Sequence, residues 1–332
     1  MVIHADGLAR SFRTRRSTVE AVCGVDIHVA PGELVGFLGP NGAGKTTTLR
    51  MLTTLLTPTA GTATVAGCDL LSDPVGVRRR IGYVGQAGGA GPDCPVLDEL
   101  VLQGRLYGMP AQRAYVRGRE LLGQLDLTGT ERRLAGKLSG GQRRRLDIAM
   151  GLMHVPELLF MDEPTTGLDP QSRANLWQHI RALHEEKGIT VFLTTHYLDE
   201  ADALCDRILV IDSGRIVAEG SPDELKRTLA GDTVELGTDA PGHTAQLAQA
   251  LPGATGLAVA GATARFRVPR ASTALPVLLR QLDAAGIVLE SIEVHRPTLD
   301  DVFLTLTGRS LRDADSGAPE AAQHLEPALP VS

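Results

Sequence analysis

Lysine is scarce in this chain of 332 residues, because only four of its 33 basic residues are lysines and the rest are arginines. The sequence also lacks an excess of positive charge, since 39 acidic residues bring the net charge to −6. A general nucleic-acid-binding protein usually carries a basic balance, so no nucleic-acid partner is expected. The arginine triplets 78–80 and 143–145 are interpreted as solvated helix faces or partner contacts. The preference for arginine over lysine indicates a GC-rich bacterial genome.

Metal or redox cysteine motifs and long apolar runs are also missing. The uncharged stretch 244–264 contains glutamines, glycines and a proline, so it is too polar to span a bilayer. The first residues include charged side chains and no apolar segment, so no signal peptide is expected. The four cysteines are widely separated and are expected to be reduced thiols in a cytoplasmic protein: Cys23, Cys68, Cys94 and Cys205.

A glycine-rich stretch with one of the four lysines fits the pattern of a phosphate-binding loop, G-x-x-x-x-G-K-[ST]. An apolar strand pattern, 34–38, precedes it and a helical pattern, 48–52, follows it. Glycines allow backbone N–H groups to approach phosphate oxygens at a helix N-terminus. Lys45 is expected to neutralise the β and γ phosphates of a nucleotide, Thr46 to bind Mg²⁺ and Thr47 to reach the α phosphate. The loop comprises Gly39, Pro40, Asn41, Gly42, Ala43, Gly44, Lys45, Thr46 and Thr47.

The pattern of apolar and polar residues around this loop predicts an α/β fold. Alternating patterns up to residue 29 predict antiparallel strands, and 96–138 predicts a helical insertion. Two short apolar runs, 158–161 and 190–194, predict buried strands separated by a helix over 171–186. Strand, helix and strand in this order imply a mostly parallel sheet.

A second domain is predicted after residue 230, where the pattern becomes β-α-β-β-α-β and suggests a small ferredoxin-like fold. A last helix is expected to begin at Thr298, with Asp301 completing its cap. The predicted boundaries are 1–230 for the ATP-binding domain, about 93–155 for its helical subdomain, 231–310 for the second domain and 311–332 for a disordered tail.

Two adjacent carboxylates follow the apolar run 158–161. Asp162 is expected to hold the Mg²⁺ shell, and Glu163 is positioned to act as general base toward an attacking water. A polar strand end is the alternative, but the phosphate loop makes the catalytic interpretation stronger.

The pentapeptide Leu138-Ser139-Gly140-Gly141-Gln142 makes the chain resemble the ATP-binding cassette family, in which this stretch is the signature motif. The resemblance extends to Gln86 at the glutamine-loop position, to Gly167-Leu168-Asp169 after the catalytic glutamate, and to His196 at the switch-histidine position. It implies a phosphate-loop ATPase core. It also places Gln86 in the catalytic and Mg²⁺ sites and His196 at the γ phosphate.

The same resemblance implies a head-to-tail dimer of two copies of the chain. Each ATP would lie between the phosphate loop of one copy and the signature motif of the other, with Asp169 also contacting the nucleotide. Ser139 and the Gly140 and Gly141 amides would supply donors at a helix N-terminus. Phe12 lies where the family stacks an aromatic ring on adenine, although a core phenylalanine is nearly as good an interpretation.

The carboxy-terminal stretch 296–309 and the segment 104–108 resemble ATP-binding subunits of the daunorubicin-resistance type. That resemblance implies an ATPase at the cytoplasmic face of the cell membrane, which powers drug export through a separate permease. A soluble cassette protein acting on ribosomes or DNA is the alternative, but such proteins usually carry two cassettes or a long coiled coil. A module that holds ATP without turnover is disfavoured because Lys45, Asp162, Glu163 and His196 are all present. The second domain is expected to support dimerisation or regulation.

Overall fold

The computed structural model describes residues 1–13, 17–227 and 231–308. The described chain forms two compact units, one within residues 1–219 and one that begins at Gly220. The domain boundary at residue 231 stays a prediction, and the predicted disordered tail, 311–332, lies outside the described residues.

The first unit alternates strands and helices after an initial pair of long strands. A 3-10 turn over Ala135–Lys137 precedes its fifth helix. In chain order its elements are β1 (Ile3–Arg13), β2 (Thr18–Val29), β3 (Leu34–Leu38), α1 (Lys45–Leu52), β4 (Ala60–Val65), β5 (Cys68–Asp69), α2 (Pro74–Arg80), β6 (Ile81–Val84), α3 (Val96–Leu106), α4 (Ala111–Gln124), α5 (Gly140–Leu152), β7 (Leu158–Asp162), α6 (Pro170–Lys187), β8 (Thr190–Thr195), α7 (Leu198–Leu204), β9 (Arg207–Asp212) and β10 (Arg215–Gly220).

One antiparallel sheet has the strand order β2-β1-β4-β5. Strands β1 and β2 precede the phosphate loop in sequence, and β4 and β5 follow it. Strand β1 pairs antiparallel with both β2 and β4. The prediction of antiparallel strands in the first 29 residues is therefore confirmed.

A six-stranded sheet of order β10-β9-β3-β8-β7-β6 forms the centre of the unit. Its strands β9, β3, β8, β7 and β6 run parallel, as the sequence predicts. Every residue of β3, β7 and β8 is buried, and the polar residues among them are the threonines of β8 and Asp162 at the end of β7. The rings of Phe37 and Phe160 each lie 5.7 Å from that of Phe192, so aromatic packing joins the three adjacent strands.

The helical insertion lies between β6 and β7 and consists of α3, α4 and α5. Apolar side chains at helical spacing, such as Leu97 and Leu100 in α3 and Leu121 in α4, are buried. Helix α5 begins at a capping box, in which the Ser139 hydroxyl accepts from the Gln142 amide and the Gln142 side chain accepts from the Ser139 amide.

The second unit has a four-stranded sheet of order β12 (Thr255–Ala260), β13 (Thr263–Val268), β11 (Asp232–Thr238) and β14 (Leu289–His295), with each neighbouring pair antiparallel. This is the order of a ferredoxin-like β-α-β-β-α-β fold, so that prediction is confirmed. The last helix is capped by Thr298 and Asp301, as the sequence predicts. The elements are α8 (Pro222–Arg227), β11 (Asp232–Thr238), α9 (Pro241–Gln249), β12 (Thr255–Ala260), β13 (Thr263–Val268), α10 (Ala271–Ala284), β14 (Leu289–His295) and α11 (Leu299–Thr307).

None of the described helices has the length and hydropathy that a bilayer-spanning segment needs. The uncharged stretch 244–264 contributes to a helix and two strands of the second unit. Three of its residues, Ala248, Leu251 and Ala264, are buried in the core of that unit.

Candidate active site

The candidate active site lies at the carboxyl edge of the parallel sheet. Strand β8 is paired between β3 and β7, with Leu38 opposite Thr195 and Asp162 opposite Thr194. The segments that follow β3, β7 and β8 therefore emerge side by side, where ligands bind in open α/β sheets. This topology brings together the phosphate loop, the Asp162–Glu163 pair and His196, which are far apart in sequence.

Glycine is required within the phosphate loop for steric reasons. A Cβ at Gly39 would lie 2.2 Å from the Ile211 carbonyl oxygen, and Gly44 has a φ of +105°. Gly44 is the N-cap of α1, so the loop leads directly into a helix N-terminus. The backbone thus has the close-fitting form that phosphate binding requires.

Lys45 is buried at the start of α1, with only 4% of its side chain exposed. Its Nζ donates to the carbonyl oxygens of Gly39, at 2.8 Å, and Pro40, at 3.1 Å. The same nitrogen lies 3.3 Å from Glu163 Oε1. The cation of the phosphate loop is therefore already in contact with the candidate general base.

Glu163 receives four side-chain contacts. In addition to Lys45, Gln86 Nε2 donates to Oε2 at 3.3 Å and Thr166 Oγ1 donates to Oε2 at 3.1 Å. His196 Nδ1 lies 3.3 Å from Oε1. Although burial acts to raise the pKa of Glu163, His196 and Lys45 outweigh it and lower that pKa to about 2. The carboxyl is therefore ionised at neutral pH, as a proton acceptor must be.

Asp162 lies next to Glu163 but in a different environment. Its Oδ1 accepts hydrogen bonds from Thr194 Oγ1, at 2.7 Å, and Thr46 Oγ1, at 3.1 Å. Burial raises the pKa of Asp162 and outweighs these two hydrogen bonds. A hydroxyl and a carboxylate oxygen in contact form the kind of hard oxygen pair that Mg²⁺ prefers.

The segment after β6 carries Gln86 and is held by side chains of the helical subdomain. Asp147 accepts from the Gly89 amide at 2.9 Å, Glu99 accepts from the Gly91 amide at 2.6 Å, and Arg143 donates to the Ala90 carbonyl at 3.2 Å. Glycines in this loop thus supply amides that carboxylates bind.

Arg144 corrects one expectation from the sequence. The triplet 143–145 was expected to be a solvated face or a partner contact, but Arg144 is only 7% exposed. Its guanidinium donates to the carbonyl oxygens of Pro164, Gly85 and Asp162 at 2.7, 2.6 and 3.0 Å. Residues 143 and 145 are half-buried, and the first triplet, 78–80, is exposed as predicted.

The signature pentapeptide and the loop that contains Asp169 form helix starts. Ser139 and Gly140 are exposed at the N-terminus of α5. The Asp169 carboxylate accepts from the Ser172 amide at 2.9 Å and from the Ser172 hydroxyl at 2.6 Å, so it caps α6. These hydrogen bonds lower the pKa of Asp169. Neither helix start is brought into the contacts around Glu163 described above.

His196 lies immediately after β8, in a segment that contacts helix α6 through residues not predicted from the sequence. Its ring centroid is 4.1 Å from that of Tyr197, and the Arg173 guanidinium lies 4.2 Å from the Tyr197 ring centroid. On the next turn, the fully buried Glu200 accepts from Trp177 Nε1 at 3.1 Å. Arg173 and Trp177 belong to α6, so these contacts join that helix to the histidine segment.

Phe12 is half-buried near the end of β1. The Arg10 guanidinium lies 4.8 Å from its ring centroid. One side of the ring thus takes part in a cation–π contact within the chain.

Comparison with known proteins identifies the family. The ABC transporter family profile matches residues 22–166, and the profile of the C-terminal domain of ATP-binding protein DrrA1-3-like matches residues 220–307. The chain is 44% identical to the daunorubicin resistance ATP-binding protein DrrA3 of Streptomyces coeruleorubidus, over 93% of this chain and 97% of that protein. The chain belongs to the ATP-binding cassette family.

Two other relatives have related names. The daunorubicin/doxorubicin resistance ATP-binding protein DrrA of Streptomyces peucetius is 42% identical, over 97% of this chain and 96% of that protein. A Nod factor export ATP-binding protein I of Burkholderia lata is 40% identical, over 92% of this chain and 97% of that protein. This cassette is therefore an ATP-binding, ATP-hydrolysing transporter subunit.

Solved cassettes share the fold of the first unit. A dimeric structure of the cassette MJ0796 in a post-hydrolysis state bound to ADP and Pi matches with a TM-score of 0.61 and 26% identity, covering 66% of this chain and 98% of that one. The structure of cbiO1 from Clostridium perfringens matches with a TM-score of 0.61 and 25% identity, covering 68% of this chain and 90% of that one. The prediction of a cassette ATPase fold is confirmed.

Proposed function

We propose that this cassette powers the export of a hydrophobic drug or antibiotic through a separate membrane permease. The names of its relatives support the class of substrate, since several are resistance proteins for daunorubicin or doxorubicin. The observation that carries the proposed catalytic role is the contact of Lys45, Gln86 and His196 with a single carboxylate, Glu163.

Mg²⁺ fits the residues beside the phosphate loop. Thr46 and Asp162 would hold it, because their oxygens are 3.1 Å apart and are hard donors. Gln86 would join its shell through the side-chain oxygen. A bound Mg²⁺ neutralises phosphate charge and orients the terminal phosphate for attack.

The proposed mechanism begins with an exchange of partners at Lys45. Its Nζ lies between loop carbonyls and Glu163, so it can turn toward the β and γ phosphates without leaving the site. Glu163 then keeps Gln86, Thr166 and His196 as neighbours and accepts a proton from the attacking water. His196 contacts the γ phosphate and stabilises its developing charge. Thr47 contacts the α phosphate, and Phe12 stacks on adenine.

A second copy of the chain would complete the site. The exposed start of α5 offers the Ser139 hydroxyl and the Gly140 and Gly141 amides to the γ phosphate bound by the partner, with Gln142 closing the cap. Asp169, also at an exposed helix start, would lie at the same interface. ATP would then favour the closed dimer, and hydrolysis would weaken it.

The permease is proposed to dock on the helical subdomain from the cytoplasmic face of the membrane. Exposed apolar side chains on α3, α4 and the residue after α3 support a protein partner, because several of them on one subdomain are a better candidate for an interaction site than single scattered ones. They are Leu102, Leu106, Tyr107, Tyr115 and Val116, between 39% and 73% exposed.

The catalytic assignment is tested by comparing Glu163→Gln with Lys45→Ala. We expect Glu163→Gln to retain ATP binding, to lose turnover and to accumulate as an ATP-bound dimer, because only the proton acceptor is removed. Lys45→Ala should weaken ATP binding itself. Binding, turnover and dimerisation are measured by ATP titration, phosphate release and light scattering. Wild-type hydrolysis by Glu163→Gln would show that the general base has been assigned wrongly.

The transport assignment is tested by fractionating cells that express the protein with and without a candidate permease encoded by an adjacent gene. We expect the protein to move to the membrane fraction only with the permease. The Leu106→Glu variant, which places a charge on the apolar patch, should stay in the soluble fraction. Association with ribosomes or DNA that ignores the permease would favour the soluble alternative instead.

A further inference from the structure

Arg144 donates hydrogen bonds to the backbone on both sides of the proposed general base. Its Nη2 and Nε donate to the carbonyl oxygens of Asp162 and Pro164, the residues before and after Glu163. Its Nη1 donates to the carbonyl oxygen of Gly85, the residue before Gln86. One guanidinium therefore holds the main chain next to two residues of the active site.

The backbone that Arg144 holds is in an unfavourable conformation. Glu163 has a φ of +45°, in the left-handed region that residues with a side chain rarely adopt. Such residues persist only where the surrounding structure restrains them. Here the restraints are Arg144 on the neighbouring carbonyls and Thr194, whose carbonyl and hydroxyl accept from the Glu163 amide at 3.2 and 3.0 Å.

The geometry requires an arginine. A guanidinium presents donors in a planar fork and can satisfy three separate carbonyls, whereas the single ammonium of lysine cannot span them. Burial lowers the pKa of Arg144, but the charges of Asp147 and Asp162 oppose this effect. The side chain therefore stays charged, and its hydrogen bonds have the strength of charge-assisted ones.

We infer that Arg144 is a positioning residue for ATP hydrolysis, which sets Glu163 and Gln86 relative to the phosphate loop. This inference rests on the proposed roles of those two residues. Because Arg144 lies in α5, its hydrogen bonds also link the signature helix that begins after Ser139 to the backbone on both sides of the carboxylate. A displacement of about 1 Å can cost about a hundredfold in rate, so loss of these hydrogen bonds should lower the rate of ATP turnover.

The test compares Arg144→Gln and Arg144→Lys with Arg145→Gln. Arg145 is the matched control, since it is the next residue of α5, is half-buried and contacts His179 and Asp126 instead of the loops that carry Gln86 and Glu163. We expect both Arg144 variants to lower kcat by about a hundredfold while the KM for ATP stays close to wild type. The control should keep most of the wild-type kcat.

A double variant separates positioning from general damage. Glu163→Gln combined with Arg144→Gln should bind ATP as tightly as Glu163→Gln alone, because a positioning residue acts on turnover and not on nucleotide affinity. Weaker ATP binding in the double variant, or equal loss of kcat and ATP affinity in Arg144→Lys, would overturn the inference and indicate a purely structural role. Circular dichroism and ATP titration of each variant provide the folding check.

The two proposals fail in distinguishable ways. If Glu163→Gln turns over ATP at the wild-type rate, the assignment of the general base is wrong. If Glu163→Gln is inactive but Arg144→Gln keeps the wild-type kcat, only the positioning role is wrong.

Discussion

The adjacent carboxylates of Asp162 and Glu163 lie in different environments, and different roles are proposed for them. The pKa of Glu163 falls because Lys45 and His196 face it, whereas burial raises the pKa of Asp162, which contacts hydroxyls. Asp162 is thus the carboxylate whose charge the site disfavours. The proposed Mg²⁺ beside Thr46 would remove that cost, so the binding of this ion and of ATP is expected to be mutually favourable.

Gly39 gives a sharp prediction at the residue scale. In Gly39→Ala the new methyl would lie 2.2 Å from the Ile211 carbonyl oxygen, a backbone atom that cannot move aside alone. We expect a loss of about 2 to 3 kcal/mol in the free energy of unfolding, together with weaker ATP binding, because the loop must shift. Urea unfolding and ATP titration measure the two effects.

Gly242→Ala is the matched control for this prediction. A Cβ at Gly242 would meet nothing within 4 Å, and the residue lies in α9. Its stability should be unchanged or slightly higher, as for a glycine replaced within a helix. Equal stability loss in the two variants would contradict the steric argument for Gly39.

At the scale of elements, contacts between sequence-distant segments hold the site's framework. Glu33, just before β3, binds Arg207 at the start of β9 through two hydrogen bonds of 2.6 and 3.0 Å. Arg207 also bonds to Glu219 and to the His28 carbonyl. This cluster ties β2, β3, β9 and β10 together at the end of the sheet where β3 begins.

The Glu33–Arg207 pair should make stability depend on pH. Burial would raise the pKa of Glu33, but hydrogen bonds from Arg207 and Ala30 outweigh it and lower that pKa below its usual 4.5. The pair therefore contributes stability above pH 4.5, and this contribution is lost as the pH falls through the lowered pKa. Glu33→Gln should cost about 2 kcal/mol at pH 7, and the difference from wild type should shrink in acid.

Glu185→Gln is the control for this effect. Glu185 is 65% exposed and lies 3.9 Å from Arg181, so its pair is worth little. Urea unfolding of both variants between pH 7 and pH 3 measures the difference. A Glu33→Gln deficit that stayed constant down to pH 3 would show that the carboxylate charge is not the cause.

At the scale of the whole molecule, each unit has a hydrophobic core of its own. The first core includes Phe37, Phe160 and Phe192, and the second includes Val234 and Phe266. Two cores predict two unfolding transitions, of which only one responds to ATP, because the phosphate loop lies in the first unit.

Differential scanning calorimetry checks this prediction. At ATP concentrations of 100 times Kd, with Mg²⁺ present, the first unit should gain about 2.7 kcal/mol, while the transition of the second unit stays in place. Lys45→Ala should reduce the shift. A single transition that moves as a whole with ATP would contradict independent units.

The second unit is proposed to support dimerisation or regulation. A chain that ends at Gly220 retains every strand and helix of the first unit, so it should fold and bind ATP. We expect this shortened chain, in the Glu163→Gln background, to form fewer ATP-dependent dimers than the full chain, as measured by light scattering. Unchanged dimerisation would count against that role.

The sequence by itself predicted the phosphate loop, the parallel sheet and the ferredoxin-like unit, since local spacing determines glycine turns, buried strands and alternating faces. It could also have predicted β9, because Arg207–Asp212 has the same apolar pattern as the predicted strands. It could not predict that Arg144, rather than Arg143, is buried, or that Glu200 meets Trp177. Those contacts depend on how helices and strands distant in sequence pack, so only the tertiary structure decides which polar groups lose water and which partners they find.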